Sequence, residues 1–318
     1  MQSPLVIDES QVASMVTVSD SIRLVREAYT RLAQGQALNP ERAWLSIPAG
    51  VSAFSMPAHV LGSETISVKV ARVNPRNVER SLPSVMTTVY VYDSSTGQEC
   101  AKLEADTLTA LRTAASTAVA TDLLARKSSK TLGVIGTGRQ AEAHLPALMM
   151  VRKFSRILVF SRNKTGRDAF AERSSLKLST SVEPTNSPEE VVESSDVLVL
   201  ATNSQVPLFK GALVKPGTHV NAIGAALPDT REVDSLLVKR SIVVVDSMAQ
   251  AKSSYGDILI PYREGAIRML GLKELGELLL DQSLVMRNDQ DITLFKSGGL
   301  AVLDAIIADH IISLLSHM

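Results

Sequence analysis

Between residues 131 and 246, short unbroken apolar runs alternate with longer stretches whose apolar side chains recur every three or four positions. The runs are TLGVIG, RILVFS, DVLVLAT, THVNAIG and SIVVVD. A strand that is apolar at every position, rather than at every second one, is buried on both faces, as in a parallel sheet covered by helices. Segments such as 188–195 and 233–240 supply the intervening helices. The pattern therefore predicts an α/β domain with a parallel sheet.

The first 125 residues have a different texture. Segment 19–34 places Ile22, Val25, Tyr29 and Leu32 on one helical face, with Ser19 or Asp20 as the expected N-cap. ISVKVARV and SVMTTVYVYD are rich in β-branched residues, and DSSTGQE after the second is a turn signal, so a hairpin or meander is expected. Residues 104–126 form an alanine-rich helical stretch. The final stretch, SGGLAVLDAIIADHIISLL, is again helical in period, with Leu300, Leu303, Ile307 and Ile311 at spacings of three and four. Periodicity does not say on which domain it packs. It draws one boundary, near 125–130.

The first of the apolar runs ends in a candidate for chemistry. Gly136, Gly138 and Ala141 give G-x-G-x-x-A directly after TLGVI and directly before a helical stretch. Gly136 is expected to make the tight turn, Gly138 to let a pyrophosphate approach bare backbone across Thr137, and Ala141 to allow close helix–strand packing. The next strand, RILVFS, ends at Ser161 and Arg162 with no Asp or Glu. A carboxylate there would accept from the ribose 2′-OH of NAD, whereas a hydroxyl beside a guanidinium suits a 2′-phosphate. The expected cofactor is NADP, with NADPH preferred and NAD as the alternative.

Composition narrows the partners. A length of 318 residues allows about two domains at roughly 100–200 residues each. The 33 basic and 33 acidic side chains leave no net field for non-specific nucleic-acid or membrane binding. The start, MQSPLVIDES, does not read as a secretory leader, and no stretch approaches the ~20 apolar residues of a membrane span. Cys100 is the only cysteine, which rules out an intrachain disulfide and a cysteine-rich zinc site; no metal is expected. A cytoplasmic location is expected.

Several ordered motifs resemble the ornithine cyclodeaminase/mu-crystallin family of nicotinamide-dependent enzymes. They are SVKVARVNP around Lys69, LEADTLTALRTAAS around Arg112, VIGTGRQAEAHL, HVNAIGAALPDTREVD and FKSGGLAVLDAIIAD. The resemblance implies a Rossmann doubly wound parallel sheet over 126–296, and a discontinuous α+β substrate-binding and dimerisation domain from 1–125 and 297–318, with homodimers formed through the latter. It also implies that Arg42, Lys69 and Arg112 hold a substrate carboxylate, and that Thr113, Arg139, Gln140, Thr202, Ile223 and Ser297 lie near the cofactor. Physical reasoning on the residues agrees: Lys69 interrupts an apolar strand, where a lysine is costly unless paired or open to water. Arg112 is followed by the small Thr113, Ala114 and Ala115, and Arg42 falls in an expected loop.

One departure from the family pattern bears on the reaction. Cyclodeaminases and alanine dehydrogenases of the family carry an aspartate after N-A-hydrophobic-G, where this chain has Ala226; Asp229, three residues on, has no catalytic part in that pattern. The resemblance is thus to the mu-crystallin and cyclic ketimine reductase branch. The expected reaction is NADPH-dependent reduction of 1-pyrroline-2-carboxylate or 1-piperideine-2-carboxylate to L-proline or L-pipecolate. The alternatives are an ornithine cyclodeaminase, an open-chain amino-acid dehydrogenase, and a mu-crystallin-like NADPH-dependent binding protein. Of the other polar residues, His144 is a candidate proton donor but reads mainly as a packed or solvated helix residue, Asp196 and Asp246 read as caps or turn formers, and Tyr255, Gly256 and Asp257 read as a loop near where substrate could bind.

Overall fold

The computed structural model describes residues 3–47, 50–80 and 82–316. The chain opens with β1 (Leu5–Ile7), α1 (Glu9–Met15), α2 (Val18–Ala33), β2 (Ala37–Leu38), β3 (Ala43–Ile47), β4 (Val51–Val60), β5 (Thr65–Val73), β6 (Val85–Asp93), β7 (Glu99–Glu104) and α3 (Asp106–Leu124). It continues with β8 (Thr131–Ile135), α4 (Arg139–Val151), β9 (Arg156–Phe160), α5 (Lys164–Leu178), β10 (Val182–Pro184), α6 (Pro188–Ser194), β11 (Val197–Leu200) and β12 (His219–Ala222). Then come α7 (Ser235–Arg240), β13 (Ser241–Val245), α8 (Met248–Ser253), α9 (Gly256–Arg263), β14 (Lys273–Glu274), α10 (Leu275–Leu280), β15 (Ile292–Lys296) and α11 (Ala301–Ser316).

Two compact units result, Met1–Thr113 with Gly299–Met318, and Ala114–Gly298. In the first, the sheet order is β1-β7-β6-β5-β4-β2, with β3 also paired to β4. Strands β4 to β7 form the expected antiparallel meander. Its DSSTGQE turn is stabilised by Asp93, whose carboxylate accepts from the backbone N–H of Ser95 and Thr96. Helix α11 packs against α2 and across β4 and β5. The α2 cap is Thr17 rather than Ser19 or Asp20: Thr17 accepts from the Asp20 N–H, and Asp20 reaches back to the Thr17 N–H. That reciprocal box satisfies two end donors at once, which moves the start of the helix upstream.

The second unit is an eight-stranded sheet of order β10-β9-β8-β11-β12-β15-β13-β14, parallel at every pairing. Successive residues of β11 enter opposite layers: Val197 and Val199 pack with Leu145, Leu148 and Phe170, while Leu198 and Leu200 pack with Val191, Leu237 and Ile258. This is the two-faced burial that the unbroken apolar runs imply. Strand β15 inserts between β12 and β13, a position the pattern did not mark. Its run is broken by Thr293 and ends in Lys296, so its apolarity is less continuous than that of RILVF or SIVVV.

The division into units falls at 113/114, inside α3, and at 298/299. In the second unit the later turns of α3 are buried through Ala114, Ala115, Ala118 and Val119. Thr117 and Thr121 hydrogen-bond His144 and Asn221 there.

Candidate functional site

The glycine turn of the second unit has the conformation its letters imply. Gly136 has φ +115°, and a Cβ on it would lie 2.3 Å from the Ala201 carbonyl oxygen, so no other residue fits. Gly138 is the N-cap of α4, with no side-chain capping bond and open space where a Cβ would be. The first-turn N–H groups of this helix are thus left for an anion, and Ala141 is buried beneath them. Thr137 and Gln140 are half-buried and Arg139 is exposed. Ser161 is half-buried at the end of β9, followed by exposed Arg162, Asn163 and Lys164, with no carboxylate among them.

Thr202, Ile223 and Ser297 follow β11, β12 and β15. With Gly136 and Ser161, they lie along the carboxyl edge of one parallel sheet. The chain winds outward in opposite directions from β8 and β11, and open α/β sheets take ligands at that switch point. Thr113 belongs to the first unit by the contact division, and its Oγ1 donates to the Thr109 carbonyl at 2.7 Å.

Beneath this edge lies a buried cluster that the sequence did not disclose. Glu232 is fully buried; Oε1 accepts from the Thr202 N–H and Oγ1 at 2.8 and 2.7 Å, and Oε2 from the Gly224 and Ala225 N–H groups at 2.7 and 3.3 Å. One side chain therefore ties the ends of β11 and β12 together. Burial and the facing Asp257 raise its pKa to about 7. Asp257 accepts from the Glu232 and Val233 N–H groups, and its Oδ2 lies 2.8 Å from Lys296 Nζ. Lys296 also donates to the Ala225 carbonyl. Tyr255, Gly256 and Asp257 are therefore not a loop: Tyr255 is the N-cap of α9, and a Cβ on Gly256 would lie 2.1 Å from the Thr230 carbonyl oxygen. Asp246 is buried and accepts from Tyr255 Oη, Ser297 Oγ and the Gly298 N–H, which makes it a cross-link between loops.

The first unit carries the cationic residues. Lys69, on β5, is 2% exposed, and its Nζ lies 2.8 Å from Asp304 Oδ1. Arg112, on α3, places Nε 3.4 Å from the same oxygen. Arg42, just before β3, donates from Nη2 to the Gly299 carbonyl at 3.0 Å and lies over the Phe54 ring, which Trp44 stacks against. Gly299 has φ +84°, and a Cβ on it would come within 1.9 Å of Arg112 Nη1. The SGG motif thus makes room for a guanidinium. Burial, Arg112 and Arg42 lower the Lys69 pKa to about 8, against the pull of Asp304. Two cations, Lys69 and Arg112, meet one carboxylate, and Arg42 is held close by on the Gly299 carbonyl, so the site retains positive charge and is suited to a small anion. Asp304, the carboxylate at the centre, was not singled out from the sequence. The available signal was an acid inside VLDAIIAD, on a helix buried on nearly all sides of that turn.

His144 proves to be a packed residue. It is fully buried, with Nδ1 2.7 Å from the Gln140 carbonyl and Nε2 2.9 Å from Thr117 Oγ1, and burial lowers its pKa to about 4. Asp196 accepts from the Lys130 and Thr131 N–H groups at the entry to β8 and pairs with Arg126, as a turn former should. Ala226 is half-buried, and Asp229 is exposed beside Arg263. Among the described residues no group of three or more His, Cys, Asp or Glu could hold a metal ion, and no helix is long and apolar enough to cross a membrane.

Known proteins share this whole architecture. The Delta(1)-pyrroline-2-carboxylate reductase of Bacillus cereus is 33% identical over 310 residues, covering 96% of this chain and 95% of its own. The structure of the Thermococcus litoralis Delta(1)-pyrroline-2-carboxylate reductase in complex with NADH and L-proline superposes with a TM-score of 0.95 at 36% identity, covering 98% of each chain. An archaeal alanine dehydrogenase dimer with bound NAD gives a TM-score of 0.92 at 30% identity, covering 99% of this chain and 97% of that one. The model of the ornithine cyclodeaminase/mu-crystallin family matches residues 2–316. Taken with the parallel sheet and its glycine turn, these matches establish that the chain belongs to the ornithine cyclodeaminase/mu-crystallin family.

Proposed function

We propose that this protein reduces cyclic imino acids, 1-pyrroline-2-carboxylate or 1-piperideine-2-carboxylate, to L-proline or L-pipecolate, with NADPH as the preferred reductant. It is an NAD(P)-dependent oxidoreductase acting on C=N and CH–NH bonds. The observation that carries the choice of substrate class is that Lys69 and Arg112 share a single buried carboxylate, with Arg42 held near them on the Gly299 carbonyl, which leaves cationic charge for a substrate carboxylate. The B. cereus and T. litoralis relatives support it, the latter by its bound L-proline.

The bound dinucleotide supplies the hydride. Gly136, Thr137, Gly138 and the first turn of α4 hold its pyrophosphate, Ser161 and Arg162 take the 2′-phosphate, and Thr113, Arg139, Gln140, Thr202, Ile223 and Ser297 complete the cofactor contacts. The arginines and Lys69 fix the substrate by its carboxylate, and that anion shields the iminium nitrogen from their field. Ala226 moves no proton. An iminium carries its own proton, so reduction proceeds without a base at this position, whereas release of ammonia from ornithine requires one. A cytoplasmic homodimer formed through the first unit completes the proposal. It is supported by the dimeric archaeal relative and by the exposed Trp44, Leu45 and Ile47 on β3.

Oxidation of NADPH and NADH measured with 1-pyrroline-2-carboxylate, 1-piperideine-2-carboxylate, and pyruvate with ammonia tests this directly. The cyclic imines should turn over, with NADPH favoured. Ornithine with NAD should give ~10²–10⁴-fold less product, the usual loss without a general base. Efficient ammonia release from ornithine, or NADPH binding with no turnover of any imine, would sink the reading.

A further inference from the structure

The acid at the centre of the cationic site is neither on its surface nor remote from it. Asp304 is 1% exposed, in the first turn of α11, and a single oxygen, Oδ1, faces both Lys69 and Arg112. Its other oxygen, Oδ2, is buried with no hydrogen-bond partner among the described residues. A carboxyl group with one idle buried oxygen is not placed for its own stability, because each unsatisfied polar atom costs free energy. Its geometry serves the lysine. On β5, Lys69 pairs across the sheet with Met56 and Val89, which offer it no charge. The charged groups that face it are Arg112 from α3, Arg42 from the segment before β3, and Asp304 from α11. Two of the three repel its proton, and burial does the same. Only Asp304 favours the ammonium.

We infer that Asp304 is a positioning residue of the anion site: its carboxylate keeps Lys69 protonated and aimed beside Arg112, so that the lysine can act as a cation toward a substrate carboxylate. The inference rests on the reading of Arg42, Lys69 and Arg112 as a carboxylate anchor. It adds a residue that touches no substrate and acts through another. Lys69 loses its charge as pH rises through about 8. Without the carboxylate, that loss occurs at lower pH, and the site is short of a cation at neutrality.

The test is the pH profile of kcat/KM for 1-pyrroline-2-carboxylate in wild type, Asp304→Asn, Asp304→Glu, Lys69→Arg and the Lys69→Arg/Asp304→Asn pair. In Asp304→Asn the high-pH limb should move down by about 1–3 pH units, the size of effect one nearby opposite charge exerts, with at least a tenfold loss at pH 8. The dinucleotide Kd should stay within about twofold. An arginine at 69 cannot lose its proton in this range, so Lys69→Arg should lack the limb and the pair should not regain it. Any limb common to all five proteins belongs to the substrate. If Asp304→Asn does not fold, Asp304→Glu carries the test: it keeps the charge, and its limb should stay near that of wild type.

An Asp304→Asn limb that coincides with the wild-type one would overturn the inference, as would an Asp304→Glu limb displaced downward by more than one pH unit. If wild type reduces no imine, the functional reading fails. The charge coupling is still read by NMR titration of lysine ¹³Cε, with Lys69 assigned by its loss in Lys69→Arg. Its midpoint should fall in Asp304→Asn, and an unmoved midpoint would again overturn the inference.

Discussion

Two buried ionic clusters, one in each unit, are built from the same kinds of groups with opposite balance. In the second unit Lys296 pairs with Asp257 and exerts its field on Glu232, and Glu232 and the Oδ1 of Asp257 accept from N–H or hydroxyl donors of the protein itself. In the first unit Lys69 and Arg112 share one acid, Asp304, and Arg42 adds its field at Lys69. The second cluster is closed: its charges are answered by backbone dipoles that tie strand ends together. The first has charge left over. Burial alone therefore does not separate structural from functional ionic groups, since both lysines are nearly inaccessible. The local sum of charge does.

The sharpest way to break this comparison is to make the same substitution in both clusters. Lys69→Met should lower kcat/KM for the cyclic imine by roughly 30- to 4000-fold, corresponding to about 2–5 kcal/mol for truncating a buried charge partner, and Arg112→Met should do likewise. Lys296→Met should instead leave two carboxylates facing each other and destabilise the fold by about 3–5 kcal/mol. Thermal unfolding would show this as a fall in Tm on the order of 10 °C. A catalytic loss with unchanged Tm in Lys296→Met would erase the distinction.

A smaller effect is expected at the exposed end of β9. Arg162→Ala should weaken NADPH by about one to two decades, the worth of a charged hydrogen bond to phosphate at ~1.5–3 kcal/mol, and weaken NADH far less. Equal losses in Kd for the two cofactors would remove the case for NADPH.

The smallest effect is a pH dependence of stability in the second unit. Burial lowers the folded pKa of His144 to about 4, below the ordinary 6.5 of an imidazole, so the folded state binds fewer protons than the unfolded one. Its contribution is complete above 6.5 and is lost as pH falls toward 4. Between pH 7 and 5.5 it should diminish by about 1 kcal/mol. Urea unfolding of wild type and His144→Gln at the two pH values should show a smaller difference in the variant.

The parts legible in the sequence were those written in local pattern. Unbroken runs such as RILVF and SIVVV marked both-face burial, and the glycines at 136 and 138 marked a turn whose backbone is now seen. Lys69 was legible for the same reason, as a charge out of place in an apolar strand. What stayed hidden depends on partners far along the chain. Asp304 meets Lys69 across 235 positions, and Glu232 meets Thr202 through backbone donors that no letter reveals. Strand β15 failed to register because Thr293 interrupts ITLFK and a charge ends it, and Lys296 is tolerated there through Asp257 and the Ala225 carbonyl, partners far from it in the chain. The α2 cap lies two or three residues upstream of the expected Ser19 or Asp20 because Thr17 and Asp20 cap each other reciprocally, which a single-residue preference does not capture.

The late arrival of β15 bears on biosynthesis. Until residues 292–296 leave the ribosome, β12 and β13 have no strand between them, and the largest sheet of the molecule exposes two unpaired central edges. The first unit waits as well, since α11 follows directly and covers β4 and β5. At about 5–20 residues per second, the β12 and β13 edges wait for roughly 3–10 s after β13 is made, and the β4–β5 face waits for roughly 12–50 s. Such open edges are templates for association with other chains. This protein should therefore depend on chaperones during synthesis more than a protein with the same core and a sequential strand order.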